Sequence, residues 1–155
     1  MEDQNKLTLN DLAVEALRES AKWCMFLAIV GFIFIGLMVI IGALMGVAMA
    51  AIPDNNPAFG GDMNPFMAIK GYLGVFYIIL ALLYFFPVYY LFNYAKGTKQ
   101  ALQSGNSEVL SNALVNLKSH HKFLGIMTIV IIALYILSFI GIIIFAAKFA
   151  SAGMH

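Results

Sequence analysis

The sequence predicts an all-α integral membrane protein that forms a single domain and crosses the bilayer three times. Hydrophobic residues make up 62% of the 155 positions and charged residues only 11%, whereas soluble domains contain about 45–50% apolar residues. A small soluble fold cannot bury so much apolar surface. Residues 23–52, 71–94 and 123–147 also contain no Asp, Glu, Lys, Arg or His. Continuous apolar runs of this length are typical of transmembrane helices and exclude the alternating pattern of a β-barrel.

The first run is the longest, and we interpret it as an uncleaved membrane span. As a helix, residues 23–52 extend over ~45 Å, so this span must tilt or project beyond the lipid. A cleaved signal peptide is the alternative, because Ala48, Met49 and Ala50 resemble a cleavage site. The apolar stretch is too long for a signal peptide, and the leader contains more acids than bases.

The distribution of Lys and Arg predicts the orientation. The leader and the segment between the second and third runs contain seven basic residues, against two in the other two polar segments. Basic residues concentrate on the cytoplasmic side of membrane proteins. We therefore expect a cytoplasmic N-terminus in the inner membrane and an outward C-terminus. Six residues are predicted to anchor the cytoplasmic edge: Trp23, Tyr89, Tyr90, Tyr94, Lys22 and Lys122.

The two cytoplasmic segments are predicted to be helical. Residues 8–22 form an amphipathic helix that Thr8 and Asp11 cap and that continues into the first span. Residues 95–122 form a helical hairpin that extends the second and third spans, with Gly105 and Asn106 at its turn and Ser107 as the next cap. These helices pack as a small bundle or, alternatively, lie flat on anionic headgroups.

The outward segments are predicted to be irregular. Residues 53–70 form a loop that is rich in Pro, Gly, Asn and Asp, and residues 148–155 form a short tail. Asp54, Asp62 and Asn64 provide oxygen ligands, but their spacing matches no calcium loop. We interpret them as solvated turn residues.

Reactive groups are scarce, so we predict no catalytic, cofactor or metal site. Intramembrane ionisable residues mark ion paths and proton relays, and the runs contain none. Cys24 is the only cysteine and is interpreted as a small apolar residue or, at most, an acylation site. His120 and His121 are expected to contact headgroups. The net charge of +1 gives no reason to expect nucleic acid binding.

Two features of the spans concern helix packing. Gly42, Gly46 and Ala50 recur every four residues, a spacing that lets two helices approach closely, either within the chain or between copies. Pro87 lies inside the second span, where the carbonyl of Leu83 loses its helical donor and a kink is expected. Such a kink serves packing or, alternatively, gating.

Part of the sequence resembles a known but uncharacterised family. YYLFNYAK at residues 89–96, ALQSGN at 101–106 and ALVNLKSHHKFLG at 113–125 are similar to small bacterial membrane proteins grouped as a domain of unknown function. The resemblance covers the second and third runs with their connection. It implies a bacterial inner membrane and transfers no functional residue.

These observations favour a non-enzymatic scaffold or accessory subunit. It would act through helix–helix association, as a homo-oligomer or within a larger membrane complex, and through a cytoplasmic docking surface. The alternative is an oligomeric channel or small-solute exporter, because three helices alone cannot enclose a pathway. Hydroxyls such as those of Tyr84 and Ser138 would then line the pore.

Overall fold

The protein consists of three long α-helices in a computed structural model that describes residues 9–53 and 65–152. They are α1 (Asp11–Ala50), α2 (Pro65–Ser104) and α3 (Ser107–Ala152). Each is long and apolar enough to cross a membrane. A helix needs only about 20 residues to cross the hydrocarbon core, so all three are about twice the required length.

Helix α1 begins at a side-chain cap. Asn10 lies in an extended conformation, and its Oδ1 accepts a hydrogen bond of 2.8 Å from the backbone N–H of Ala13. This bond satisfies one of the N–H groups that the first turn leaves unpaired. Asn10 is therefore the cap at the described start of the helix, whereas the predicted cap Thr8 lies outside the described residues. The helix then continues without a break to Ala50.

Helices α1 and α2 pack antiparallel along a seam of small residues. Buried residues lie at multiples of seven positions along this seam: Ala21, Ala28 and Gly42 on α1, and Gly74, Ala81, Val88 and Ala95 on α2, which also buries Pro87, Tyr94, Thr98 and Ala101. When two α-helices supercoil around each other with a left-handed twist, seven residues make two turns. A seven-residue repeat therefore keeps the same face of each helix against its partner. Larger rings flank the seam where Phe32 contacts Phe85 and Phe92, with ring centroids about 6 Å apart.

A tight turn joins α2 to α3. Gly105 has φ +63°, a left-handed conformation that glycine adopts without a Cβ penalty. The N–H of Asn106 then donates to the carbonyl of Ala101. The Asn106 side chain accepts from the N–H groups of Glu108 and Val109 at 2.9 and 3.2 Å. Asn106 therefore ends one helix and caps the next, and the prediction that Ser107 is the cap is wrong.

The fold divides into two compact units, residues 1–120 and 121–155. In the first unit, the start of α3 packs against α2, where Gly97 lies close to Ala113. The second unit is the remainder of α3, whose side chains from Thr128 to Lys148 are all exposed. Its apolar face is therefore available to lipid or to other helices.

Candidate functional site

The predicted small-residue motif of α1 packs within the chain. A Cβ built on Gly74 would lie 2.7 Å from the carbonyl oxygen of Gly42 and 2.8 Å from the Cα of Gly46. Real Cβ atoms do not approach backbone so closely, so a glycine is required at position 74. Gly42 and Gly46 thus serve the α1–α2 contact, whereas Ala50 is exposed.

The end of this seam near Ile52 has a polar contact. Lys70, on α2, donates its Nζ to the backbone carbonyl of Ile52, just beyond the end of α1. The last carbonyls of a helix lack intrahelical donors and carry the negative end of its dipole. A lysine ammonium therefore stabilises this terminus, a role that the sequence pattern did not indicate.

Tyr94, which the sequence predicts to be an interface anchor, is buried between α1 and α2. Its side chain is only 1% exposed, and its hydroxyl lies 3.2 Å from the Ser20 hydroxyl on α1. A buried phenol hydroxyl needs a hydrogen-bond partner, and the Ser20 hydroxyl is that partner, with either oxygen able to donate. The other predicted aromatic anchors differ from it: Trp23 and Tyr89 are exposed and Tyr90 is partly exposed, while Lys22 and Lys122 are exposed.

Thr98, one turn beyond Tyr94, is the largest completely buried polar residue of the described chain. It is 0% exposed, and its Oγ1 forms no hydrogen bond with any described residue. An unpaired buried hydroxyl costs about 1–3 kcal/mol relative to one in water. Its surroundings on α2 are tightly packed, since Ala95 and Ala101 are also buried.

Pro87 and His120 form a contact between α2 and α3. Helix α2 remains continuous through Pro87, and Nδ1 of His120 lies 2.8 Å from the carbonyl oxygen of Pro87. A carbonyl can only accept, so Nδ1 carries the proton and donates it. The expectation that His120 serves a lipid headgroup is therefore replaced by a contact within the chain.

We use the name head for residues 11–22, 95–104 and 107–120, which are the parts of the three helices that lie in the first unit and outside the predicted spans. A cavity of about 470 Å³ lies between α1 and α2 in the head and extends to Met25, just beyond it. We call it the head cavity. Its lining combines three cations with an apolar floor: Arg18, Ala21, Lys22, Met25, Ala95, Lys99, Leu102 and Gln103.

A second, more open depression of about 280 Å³ lies between α2 and α3. Carboxamides dominate its lining, which consists of Asn93, Lys96, Gly97, Gln100, Val109, Asn112, Ala113 and Asn116. Helices α2 and α3 lie close together here, as shown by a Cβ added to Gly97, which would lie 3.0 Å from the Cβ of Ala113. In the part of the chain that the structure describes, no group of three His, Cys, Asp or Glu side chains is placed to hold a metal ion.

Large apolar side chains are exposed on the head. Leu12 is 80% exposed on α1, and Val115 is 58% exposed on α3. Leu9, just before α1, and Leu114 are also exposed. The predicted apolar stripe of the leader is thus only partly covered, since Leu17 is half-buried while Leu12 faces outward.

Comparison with known protein families agrees with the resemblance seen in the sequence. The profile of a family described as "Family of unknown function (DUF5362)" matches residues 66–143, which is just over half of the chain. The chain belongs to this family. The match covers nearly all of α2 and most of α3, including the turn at Gly105. No curated protein and no solved structure matches the chain.

The family match does not include α1, although α1 packs against the matched region. The match begins after α1, whereas the seam that buries Gly74, Ala81 and Val88 is completed by α1. The head cavity likewise needs Arg18 and Lys22 from α1. Small residues at multiples of seven positions on both helices are the sequence signal that could have paired α1 with α2: Ala21, Ala28 and Gly42 on α1, and Gly74, Ala81 and Ala95 on α2.

Proposed function

We propose that this protein is a non-enzymatic scaffold or accessory subunit of a bacterial inner membrane, with its head in the cytoplasm. It acts by docking a partner on the head and by associating with other helices in the bilayer. The orientation follows from the seven basic residues of the leader and the hairpin, against two elsewhere. In this orientation the head is a cytoplasmic hairpin joined by the amphipathic start of α1.

The exposed apolar side chains of the head carry this proposal. Leu12 and Val115 lie outside the apolar runs, in segments that mix apolar residues with charged and polar ones. Clustered apolar side chains exposed outside the lipid mark protein or membrane interaction sites, whereas single ones are normal. Leu9 lies one turn from Leu12, and Leu114 adjoins Val115, so each position has an exposed apolar neighbour. Charged residues border both positions, Asp11 and Glu15 near Leu12 and Lys118 near Val115, as is usual at the polar rim of an interface.

Within the bilayer, α3 provides the surface for association with other helices. The close-approach faces of α1 and α2 are occupied by each other through Gly42, Gly46 and Gly74. The exposed α3 segment includes Gly141, where an added Cβ would meet nothing within 4 Å. Small residues allow helices to approach and pack by dispersion in a bilayer. A second copy or another subunit can therefore pack here.

The test measures assembly and its dependence on the head. Native mass spectrometry of the detergent-solubilised protein should show a defined multimer or a stoichiometric complex. The double variant Leu12→Gln, Val115→Gln should release the partner or dissociate the multimer, because both substitutions replace apolar contacts with amides. Ser107→Gln, at the exposed hairpin turn, is the matched control and should leave the assembly intact.

The alternative outcomes are distinct. A monomer without any partner, in mild detergent and in nanodiscs, would contradict the scaffold and the channel alike. Ion flux in liposomes that is lost on Tyr84→Phe or Ser138→Ala would favour the channel. Scaffold function predicts no flux in these liposomes.

A further inference from the structure

We infer that the head cavity is a binding site for an anionic phospholipid, which enters from the leaflet at the Lys22–Trp23 edge. The site combines three positive charges with an apolar floor at the level where a span leaves the membrane. This inference rests on the placement of that edge under the proposed function. It does not depend on oligomerisation or on a partner.

Three cations define the charge of the cavity. Arg18 and Lys22 lie one turn apart on α1, and Lys99 faces them from α2. Among the described residues, Lys22 and Lys99 form no ion pair, and Arg18 forms one with Glu15 at 3.9 Å between exposed side chains. Such an exposed ion pair is weak, so Arg18 can exchange Glu15 for another anion. Neither Glu15 nor Glu19 lines the cavity, so the lining has a net positive charge that favours an anion.

The floor favours an amphiphile over a small soluble anion. Ala21, Met25, Ala95 and Leu102 line the cavity between the cations, and an inorganic phosphate would leave these groups in contact with water. A lipid instead places its phosphate beside the cations and its first methylenes along the apolar residues. Gln103 adds an amide that can donate to a phosphate or glycerol oxygen.

The position along the helices matches the depth of a headgroup. Met25 lies inside the first apolar run, Lys22 lies directly before that run, and Arg18 lies one turn farther out. The cavity thus extends from the edge of the hydrocarbon into the headgroup layer, a distance of ~10 Å along α1. Basic pockets between transmembrane helices at this level bind anionic headgroups. Its volume of about 470 Å³ is within the range of about 300–1,000 Å³ of ligand sites.

The single tryptophan makes a direct test possible. Trp23 is exposed and does not line the cavity, so its fluorescence reports on the surrounding lipid. A Trp23→Phe, Met25→Trp variant moves the fluorophore into the cavity lining. Both proteins are reconstituted in phosphatidylcholine vesicles that contain a minor fraction of phosphatidylglycerol, with bromine on the acyl chains of one lipid or the other.

We expect the fluorophore of the Met25→Trp variant to be quenched preferentially by brominated phosphatidylglycerol, with a relative binding constant at least about threefold above that of phosphatidylcholine. Adding Arg18→Gln, Lys22→Gln and Lys99→Gln should reduce the preference to about onefold, because the lining loses its charge. The matched control Lys96→Gln, Lys118→Gln, Lys122→Gln removes the same charge from residues outside the cavity and should retain the preference. A conservative exchange of Lys22 and Lys99 to Arg should also retain it.

Equal quenching by the two lipids in the Met25→Trp variant would overturn the site. If the control triple variant lost the preference for phosphatidylglycerol to the same extent, the preference would come from general electrostatics, and the proposed site would also be overturned. Displacement of the lipid by millimolar inorganic phosphate would assign the cavity to a soluble anion. If neither lipid quenched Trp23, the placement of Lys22 and Trp23 at the membrane edge would be wrong. This result would refute the proposed membrane placement and is distinct from failure of the lipid site alone. Native mass spectrometry of the Trp23-containing protein should find phosphatidylglycerol retained, and its absence would count against the inference.

Discussion

The closest approach in the fold gives the sharpest prediction, the substitution Gly74→Ala. The added methyl would lie 2.7–2.9 Å from three backbone atoms of α1, one of Gly42 and two of Gly46. Backbone atoms inside a helix cannot rotate away as a side chain can. The two helices must therefore separate by roughly 1 Å to restore van der Waals contact at about 3.5–4.0 Å.

The magnitude follows from two opposing effects. Overpacking of a tight interface costs about 1–3 kcal/mol, and the looser packing of the separated helices near Ala81 adds to this cost. Replacing glycine by alanine inside a helix also gains about 0.5–1 kcal/mol through backbone entropy. Gly71→Ala has the same gain in helix stability without the clash, because nothing lies within 4 Å of its added Cβ. The difference between the two variants isolates the steric cost, which we expect to be about 1–3 kcal/mol.

The assay is reversible unfolding in mixed micelles of dodecyl maltoside and sodium dodecyl sulfate, followed by circular dichroism. Gly74→Ala should unfold at a lower fraction of dodecyl sulfate than the unmodified protein, and Gly71→Ala should not. A Gly74→Ala variant as stable as Gly71→Ala, within about 0.5 kcal/mol, would refute the packing of α1 on α2 at this position.

Three further predictions concern hydrogen bonds of the head and are checked by the same unfolding assay. Tyr94→Phe should destabilise the protein by about 1 kcal/mol, and a double-mutant cycle with Ser20→Ala should recover most of that as coupling; additive losses would show that the hydroxyls do not interact. Thr98→Val should stabilise by about 1 kcal/mol, because it replaces an unpaired buried hydroxyl with a methyl of the same shape; a loss of stability would reveal a partner for that hydroxyl. Asn106→Ala should cost about 0.5–2 kcal/mol through loss of the α3 cap, with faster hydrogen exchange at Glu108 and Val109; unchanged exchange there would contradict the cap.

The sequence was sufficient to predict the helices because each depends on local signals. Uncharged apolar runs predict membrane-crossing length, and Gly105 followed by Asn106 predicts the end of α2. The absence of any breaker between Asp11 and Trp23 predicts that the leader continues into the first run, and α1 is continuous there. The helix ends were predicted less well. Asn106 replaces its neighbour Ser107 as the cap of α3, and α2 begins at Pro65 and α3 continues to Ala152, inside segments that were predicted to be irregular.

The sequence was not sufficient to predict which faces meet. Tyr94 is an aromatic residue at the end of an apolar run, as interface anchors are. Only the folded structure shows that it is buried, with its hydroxyl beside that of Ser20 on α1. The motif at Gly42 and Gly46 fits a partner in the same chain or in another copy equally well, and Gly74 decides for the same chain. The head cavity combines residues about 80 positions apart, a pairing that no local pattern contains.

The number of membrane crossings is the central claim, and a reporter at each terminus tests it most directly. Alkaline phosphatase is active only outside the inner membrane, and green fluorescent protein fluoresces only in the cytoplasm. Three crossings with the head inside predict fluorescence from a fusion before Met1 and phosphatase activity from a fusion after His155. Reporters on the same side of the membrane, or a protein released from membranes by carbonate without detergent, would contradict the account.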